Sequence, residues 1–143
     1  MNRIYLIGSL RNPAIPQIGN CLRLHNIKVF DDWYSAGPKA DDHWQEYEKG
    51  RGRTYKQALS GDAAKNVYAF DVRNLYGSSA AVLVMPAGKS GHLELGYMAG
   101  LGRETFILFD REPESWDVMY QFATDVFFDL PTFYADMIRR YQQ

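Results

Sequence analysis

A chain of 143 residues, 46% of them hydrophobic and 23% charged, has a globular composition and enough length to bury one core, so a single domain over residues 1–143 is expected. The formal net charge of −1 gives no electrostatic reason to expect a nucleic acid polymer or a membrane surface as partner, and no apolar run approaches the roughly 20 residues of a membrane span. The single cysteine, Cys21, excludes an internal disulfide framework, and "MNRIYLIGSL" runs straight into a strand without the apolar core of a signal peptide, so a cytoplasmic protein is expected.

Arg3 to Ile7 reads as a buried strand that ends in a loop at Gly8 and Ser9. Asn12 followed by Pro13 signals a helix start, Ile15, Ile18 and Leu22 keep helical spacing, and Asn26 supplies a left-handed stop before a strand from Ile27 to Phe30. Residues 31–61, "DDWYSAGPKADDHWQEYEKGRGRTYKQALSG", show no sustained period and read as a long loop or lid insertion with one short helix near Thr54 to Leu59. Asp62 then caps a helix running to about Tyr76, with Ala64, Tyr68, Val72 and Leu75 on one apolar face. "SSAAVLVM" is a fully apolar strand, followed by a glycine-rich turn, a helix from about Gly91 and a strand from Thr105 to Phe109. A helix near Glu114 to Phe122, a short strand near Val126 to Phe128 and a last helix from Pro131 to Tyr141 complete the chain. This alternation predicts an α/β, Rossmann-like, three-layer α/β/α fold with a five-stranded parallel sheet, in which ligands bind at the carboxyl ends of the strands.

Both glycine turns, after Ile7 and after Met85, fall at such ends. With the helix taken from Gly91, Glu94 stands in its first turn, where the macrodipole favours a carboxylate that folds back on free amides or faces the crevice. Gly96 and Gly100, four apart, are expected to flatten one helix face for close packing. Lys89, Ser90 and Gly91 offer an amine, a hydroxyl and backbone amides to an anionic oxygen. On the other turn, Arg11 beside Ser9 and the amides near Gly8 form a planar donor fork next to a hydroxyl, which suits a phosphate.

Three stretches together carry a resemblance: "IYLIGSLRN" at 4–12, "FD" at 70–71 and "SGHLELGYMAGLGRETFILF" at 90–109. In this order they resemble the nucleoside 2-deoxyribosyltransferase superfamily, including its branch that hydrolyses 2'-deoxynucleoside 5'-monophosphates. The likeness covers most of the chain and is weakest over 31–61 and after Phe109. It implies a flavodoxin-like fold, with Glu94 as nucleophile on the anomeric carbon, Asp71 as the acid that contacts the base, and Tyr5 as the residue orienting the nucleophile. Read without it, Asp71 is an exposed helix acid and Tyr5 a core aromatic. Glu94 is expected to be kept ionised by the helix N-terminus. The resemblance also implies substrate contacts from the Gly8, Ser9, Leu10 and Arg11 loop and from Ser90, Gly91 and His92.

The chemistry needs neither cofactor nor metal, and the acids of "DDW" and "DDHW" have no regular ligand spacing, so none is expected. Trp33, Tyr34 and Trp44 either stack on a nucleobase as part of a lid or anchor the insertion, and Arg51, Arg53 and Lys56 read as a small solvated basic patch. The partner expected is a small nucleoside or nucleotide. Family members are oligomers that complete each site across an interface, and the aromatic-rich stretch from Arg111 to Tyr134 fits a subunit contact of a homodimer or larger oligomer. Two other readings use the same crevice: a glycohydrolase of a nicotinamide-type dinucleotide, and a nucleotide sensor without catalysis.

Overall fold

The computed structural model describes residues 2–143. The apolar runs become five parallel strands, β1 (Arg3–Ile7), β2 (Lys28–Phe30), β3 (Ala80–Val84), β4 (Glu104–Leu108) and β5 (Asp125–Phe127), in the order β2-β1-β3-β4-β5. In register, Tyr5 lies beside Phe30 on one side and Ala81 on the other. The chain leaves β1 in one direction to β2 and returns on the other side to β3. The crevice between their carboxyl ends is therefore the topological switch point, where an open parallel sheet receives its ligand.

Among the described residues, six α-helices lie between or after these strands: α1 (Ala14–Leu24), α2 (Ala40–Gly50), α3 (Tyr55–Leu59), α4 (Asp62–Tyr76), α5 (Lys89–Gly100) and α6 (Leu130–Tyr141). Strand side chains alternate between two faces. Ile4, Leu6, Val82 and Phe106 pack with Ile15, Ile18 and Leu22 of α1 and Phe133 and Met137 of α6. Tyr5, Ile7, Leu83 and Ile107 pack with Leu75 of α4 and Leu95 and Met98 of α5. The result is the expected flavodoxin-like α/β sandwich of three layers. Its punctuation is local: Asn26 adopts φ 60° and the Ile27 amide reaches back to the Leu22 carbonyl at 3.2 Å, closing α1. Asp129 accepts from the Thr132 amide at 2.7 Å and opens α6.

The insertion between β2 and α4 is more ordered than its sequence suggests. A 3-10 turn at Asp32–Ala36 precedes α2, and the expected short helix is α3, opened by a Thr54–Gln57 capping box. The 11-residue α2 escapes a search for apolar period because its inward position is a charge. Ala40, Trp44 and Glu48 share one face, and Glu48, only 2% exposed, accepts from Arg51 at 3.3 Å and Arg53 at 3.5 Å. Arg51 and Arg53 are thus the counter-ions of a buried carboxylate rather than a solvated patch. Trp33 is an anchor: its Nε1–H donates to the Leu6 carbonyl at 2.7 Å, just past the point where β2 ends, and its ring packs on both halves of the core.

Three other expectations are corrected. The helix near Glu114 to Phe122 is only a 3-10 turn at Val118–Phe122, and Trp116, Val118 and Phe122 beside it are exposed. On α4 the apolar stripe holds only at its end, where Leu75 is buried, while Tyr68 is 69% exposed. The helix leads into β3, with Leu75 of its last turn packed on the sheet while Val67 and Tyr68 are exposed. Gly96 and Gly100 are not packing glycines, since a Cβ at either would meet nothing within 4 Å. Close approach falls instead to Gly91, whose added Cβ would stand 2.9 Å from Leu83 Cδ1 and 3.3 Å from Ile7 Cγ2, and to Gly8, 2.7 Å from Ile15 Cδ1. Gly96→Ala and Gly100→Ala are therefore expected to raise stability by about 0.5–1 kcal/mol each, read as higher urea midpoints at unchanged slope, whereas Gly91→Ala lowers it. Among the described residues, no helix is long and apolar enough to cross a membrane.

Candidate active site

Three elements, β1, α4 and α5, supply Tyr5, Asp71 and Glu94. β1 carries Tyr5 three residues before Gly8, and α5 runs back down over the sheet from Gly88 at its N-cap. The Tyr5 hydroxyl donates to Glu94 Oε2 at 3.3 Å. Asp71 of α4 is close enough for its charge to act on both groups. Beside them Phe30 lies 5.0 Å from the Tyr5 ring and 5.9 Å from that of Phe70, the residue before Asp71. The aromatic wall of Phe30 and Phe70 went unread because only the acid of "FD" was assigned a role.

The ionisation of Glu94 differs from the expected one. The helix begins at Lys89, so Glu94 stands in its second turn, beyond the reach of the N-terminal amides and most of the dipole. Burial, reinforced by the charge of Asp71, pushes its carboxyl up to about 7, and the hydrogen bond from Tyr5 works against that rise. Asp71 is likewise raised by burial. The Tyr5 phenol, raised by burial and then by both carboxylates, stays protonated and can only donate to Glu94.

At the carboxyl ends of β1 and β3 lies an open cavity of about 420 Å³, walled by Ser9, Arg11 and Asn12 after β1 and by Pro86, Ala87 and Gly88 after β3, with Tyr5, Asp71 and Glu94 outside its lining. The loop after β1 is a tight turn, closed by the Asn12 amide on the Ser9 carbonyl at 3.1 Å, with Leu10 half-buried inside it. Ser9 Oγ accepts from the Arg11 amide at 3.1 Å, which leaves its own hydroxyl hydrogen to donate outward. Arg11 is exposed, and its Nη2 lies 2.9 Å from Asp42 Oδ2 of α2. No sequence signal joins these two residues, 31 positions apart.

The second turn divides the other candidates. Ser90 is exposed on the first turn of α5, whereas Gly91 is buried against the sheet. His92 is corrected. Its Nδ1 lies 2.8 Å from the Gly88 carbonyl, which can only accept, so Nδ1 carries the proton and Nε2 accepts from the Tyr120 hydroxyl at 2.9 Å. Both ring nitrogens are occupied, and the imidazole stacks on Tyr120 at 5.8 Å, tying the start of α5 to the segment before β5. Two acids of the insertion, Asp31 and Asp42, pair with Arg23 and Arg11, and no group of three or more metal-ligating side chains gathers among the described residues.

Chemically, the arrangement offers a carboxylate that gains its charge near neutral pH, a fixed hydroxyl donor on it and a second acid whose charge reaches it. Such a set can capture an electrophilic carbon and return a proton to a leaving group. No protein-family model matches the chain, and no curated protein matches it either.

Proposed function

We propose that the protein cleaves the N-glycosidic bond of a nucleoside 5'-monophosphate or nucleoside through a glycosyl ester of Glu94. The observation that carries this reading is the half-buried Glu94 carboxylate, hydrogen-bonded by Tyr5 and acted on by the charge of Asp71. An Oε of Glu94 bonds to the anomeric carbon as the carbon–nitrogen bond breaks, and the departing base takes the proton of Asp71. Water, or a second base in a transfer reaction, then attacks the same carbon, returns a proton to Asp71 and releases Glu94 with net retention. Tyr5 supports the first step by favouring the charged form of the nucleophile. Arg11 and the outward hydroxyl of Ser9 favour a phosphorylated substrate.

The test is chromatographic. The protein is incubated with a panel of nucleosides and their 5'-monophosphates, with and without a second free base. Free base is expected, reduced by at least about 10³-fold in Glu94→Ala, as loss of a nucleophile requires. A new nucleoside in lanes holding the second base would identify transfer. No base in any lane, or parent-like release by the variant, would sink the proposal.

A further inference from the structure

The guanidinium best placed to receive an anion at the cavity already has one. Arg11 donates through Nη2 to Asp42 Oδ2 at 2.9 Å and through Nε to the Pro38 carbonyl at 3.4 Å. Both acceptors belong to the insertion, at and just before the first turn of α2, where a second acid, Asp41, adds to the negative field. The pair is open to water, with 68% of the Arg11 side chain and 54% of the Asp42 side chain exposed. An exposed pair of this kind contributes little to stability and is readily exchanged. A phosphate dianion offers the same fork more charge and more oxygens than a carboxylate does.

We propose that Asp42 is a specificity-determining residue that competes with anionic ligands for Arg11. While Asp42 holds the fork, the cavity mouth is charge-balanced and accepts a ligand without phosphate at no electrostatic cost. A phosphorylated ligand must displace the carboxylate from Arg11 and then bind beside it against its repulsion. The two effects act in the same direction, so Asp42 narrows the preference for phosphorylated over unphosphorylated ligands that Arg11 alone would create. The inference rests on the proposed role of the Ser9–Arg11 loop as an anion subsite and is independent of whether Glu94 breaks a bond.

The probe is inorganic phosphate, titrated at pH 8 into the parent, Asp42→Asn, Asp42→Ala and Arg11→Met proteins. Binding is followed by the amide resonances of Ser9, Arg11 and Gly88, and unchanged resonances elsewhere confirm that each variant is folded. Both Asp42 variants are expected to bind phosphate about three-fold more tightly or better, a gain in line with the loss of one exposed ion pair. The gain should shrink as sodium chloride is added and vanish in the Asp42→Asn, Arg11→Met double variant. Equal or weaker binding by both Asp42 variants would overturn the proposal, as would a gain that persists without Arg11. If phosphate fails to bind any of the proteins, the anion subsite and its competitor fall together, while base release from unphosphorylated nucleosides through Glu94 would still stand.

Discussion

Glu94→Gln is expected to be more stable than the parent above pH 7 and about equal to it near pH 4. The carboxyl of Glu94 titrates at about 7 in the folded protein against an ordinary 4.5, because folding takes it out of water and sets it beside Asp71. A group whose folded value is raised contributes fully below its unfolded value, and that contribution is lost as pH rises through the folded value. The window is therefore about 4.5 to 7, and at pH 8 the ionised Glu94 burdens the fold by up to about 3 kcal/mol. Glutamine keeps the shape and an oxygen to accept from Tyr5, but carries no charge to desolvate. For a chain of this length the gain corresponds to a rise in Tm of roughly 6–10 °C at pH 8. Thermal unfolding of both proteins at pH 4.5, 6 and 8 reads it. A variant no more stable than the parent at pH 8 would show that Glu94 is not held against its charge.

A stabilising substitution that removes the proposed nucleophile is what a site under functional demand predicts, since the parent keeps a charge the fold would rather not bury. Such a conflict is hard to see in a sequence. The position of Glu94 was legible, because an apolar strand, a glycine turn and a helix place it near a strand end. Its ionisation was not, because that depends on where the helix begins and on what Asp71 and the sheet do to its surroundings. The same division runs through the rest of the chain. The strands that build the sheet read as apolar runs because both their faces are covered, and Asn26 was legible as a stop because a positive φ is written in the residue type. Helix α2 was not, since its inward residue is the paired Glu48 and periodicity looks only for apolar side chains. Gly96 and Gly100 misled because glycine spacing cannot say whether another element arrives, and here none does. The occupied ring of His92 and the Asp42 partner of Arg11 depend on contacts between segments far apart in the chain.

The second large effect is expected at Asp71. The productive state of the pair has its charge on Glu94 and its proton on Asp71, yet burial raises both carboxyls, so they compete for one proton and titrate together. The hydrogen bond from Tyr5 goes to Glu94 and biases the charge toward the nucleophile. In the parent, kcat/KM should follow the singly protonated form of the coupled pair, rising as the first proton leaves and falling as the second leaves near 7, the bell of an acid–base pair. Asp71→Asn removes a proton donor and a negative neighbour at once. Base release should drop by about 10²- to 10³-fold, the usual contribution of a general acid, and the alkaline limb should disappear. The remaining limb is the ionisation of Glu94 alone and should lie below 7, because Glu94 no longer ionises beside a carboxylate. Loss of rate together with loss of the alkaline limb separates the roles of Asp71. Were it only a charged neighbour, the plateau rate of the variant would match or exceed the parent's maximum, and the assignment of Asp71 as the acid that protonates the base would be abandoned.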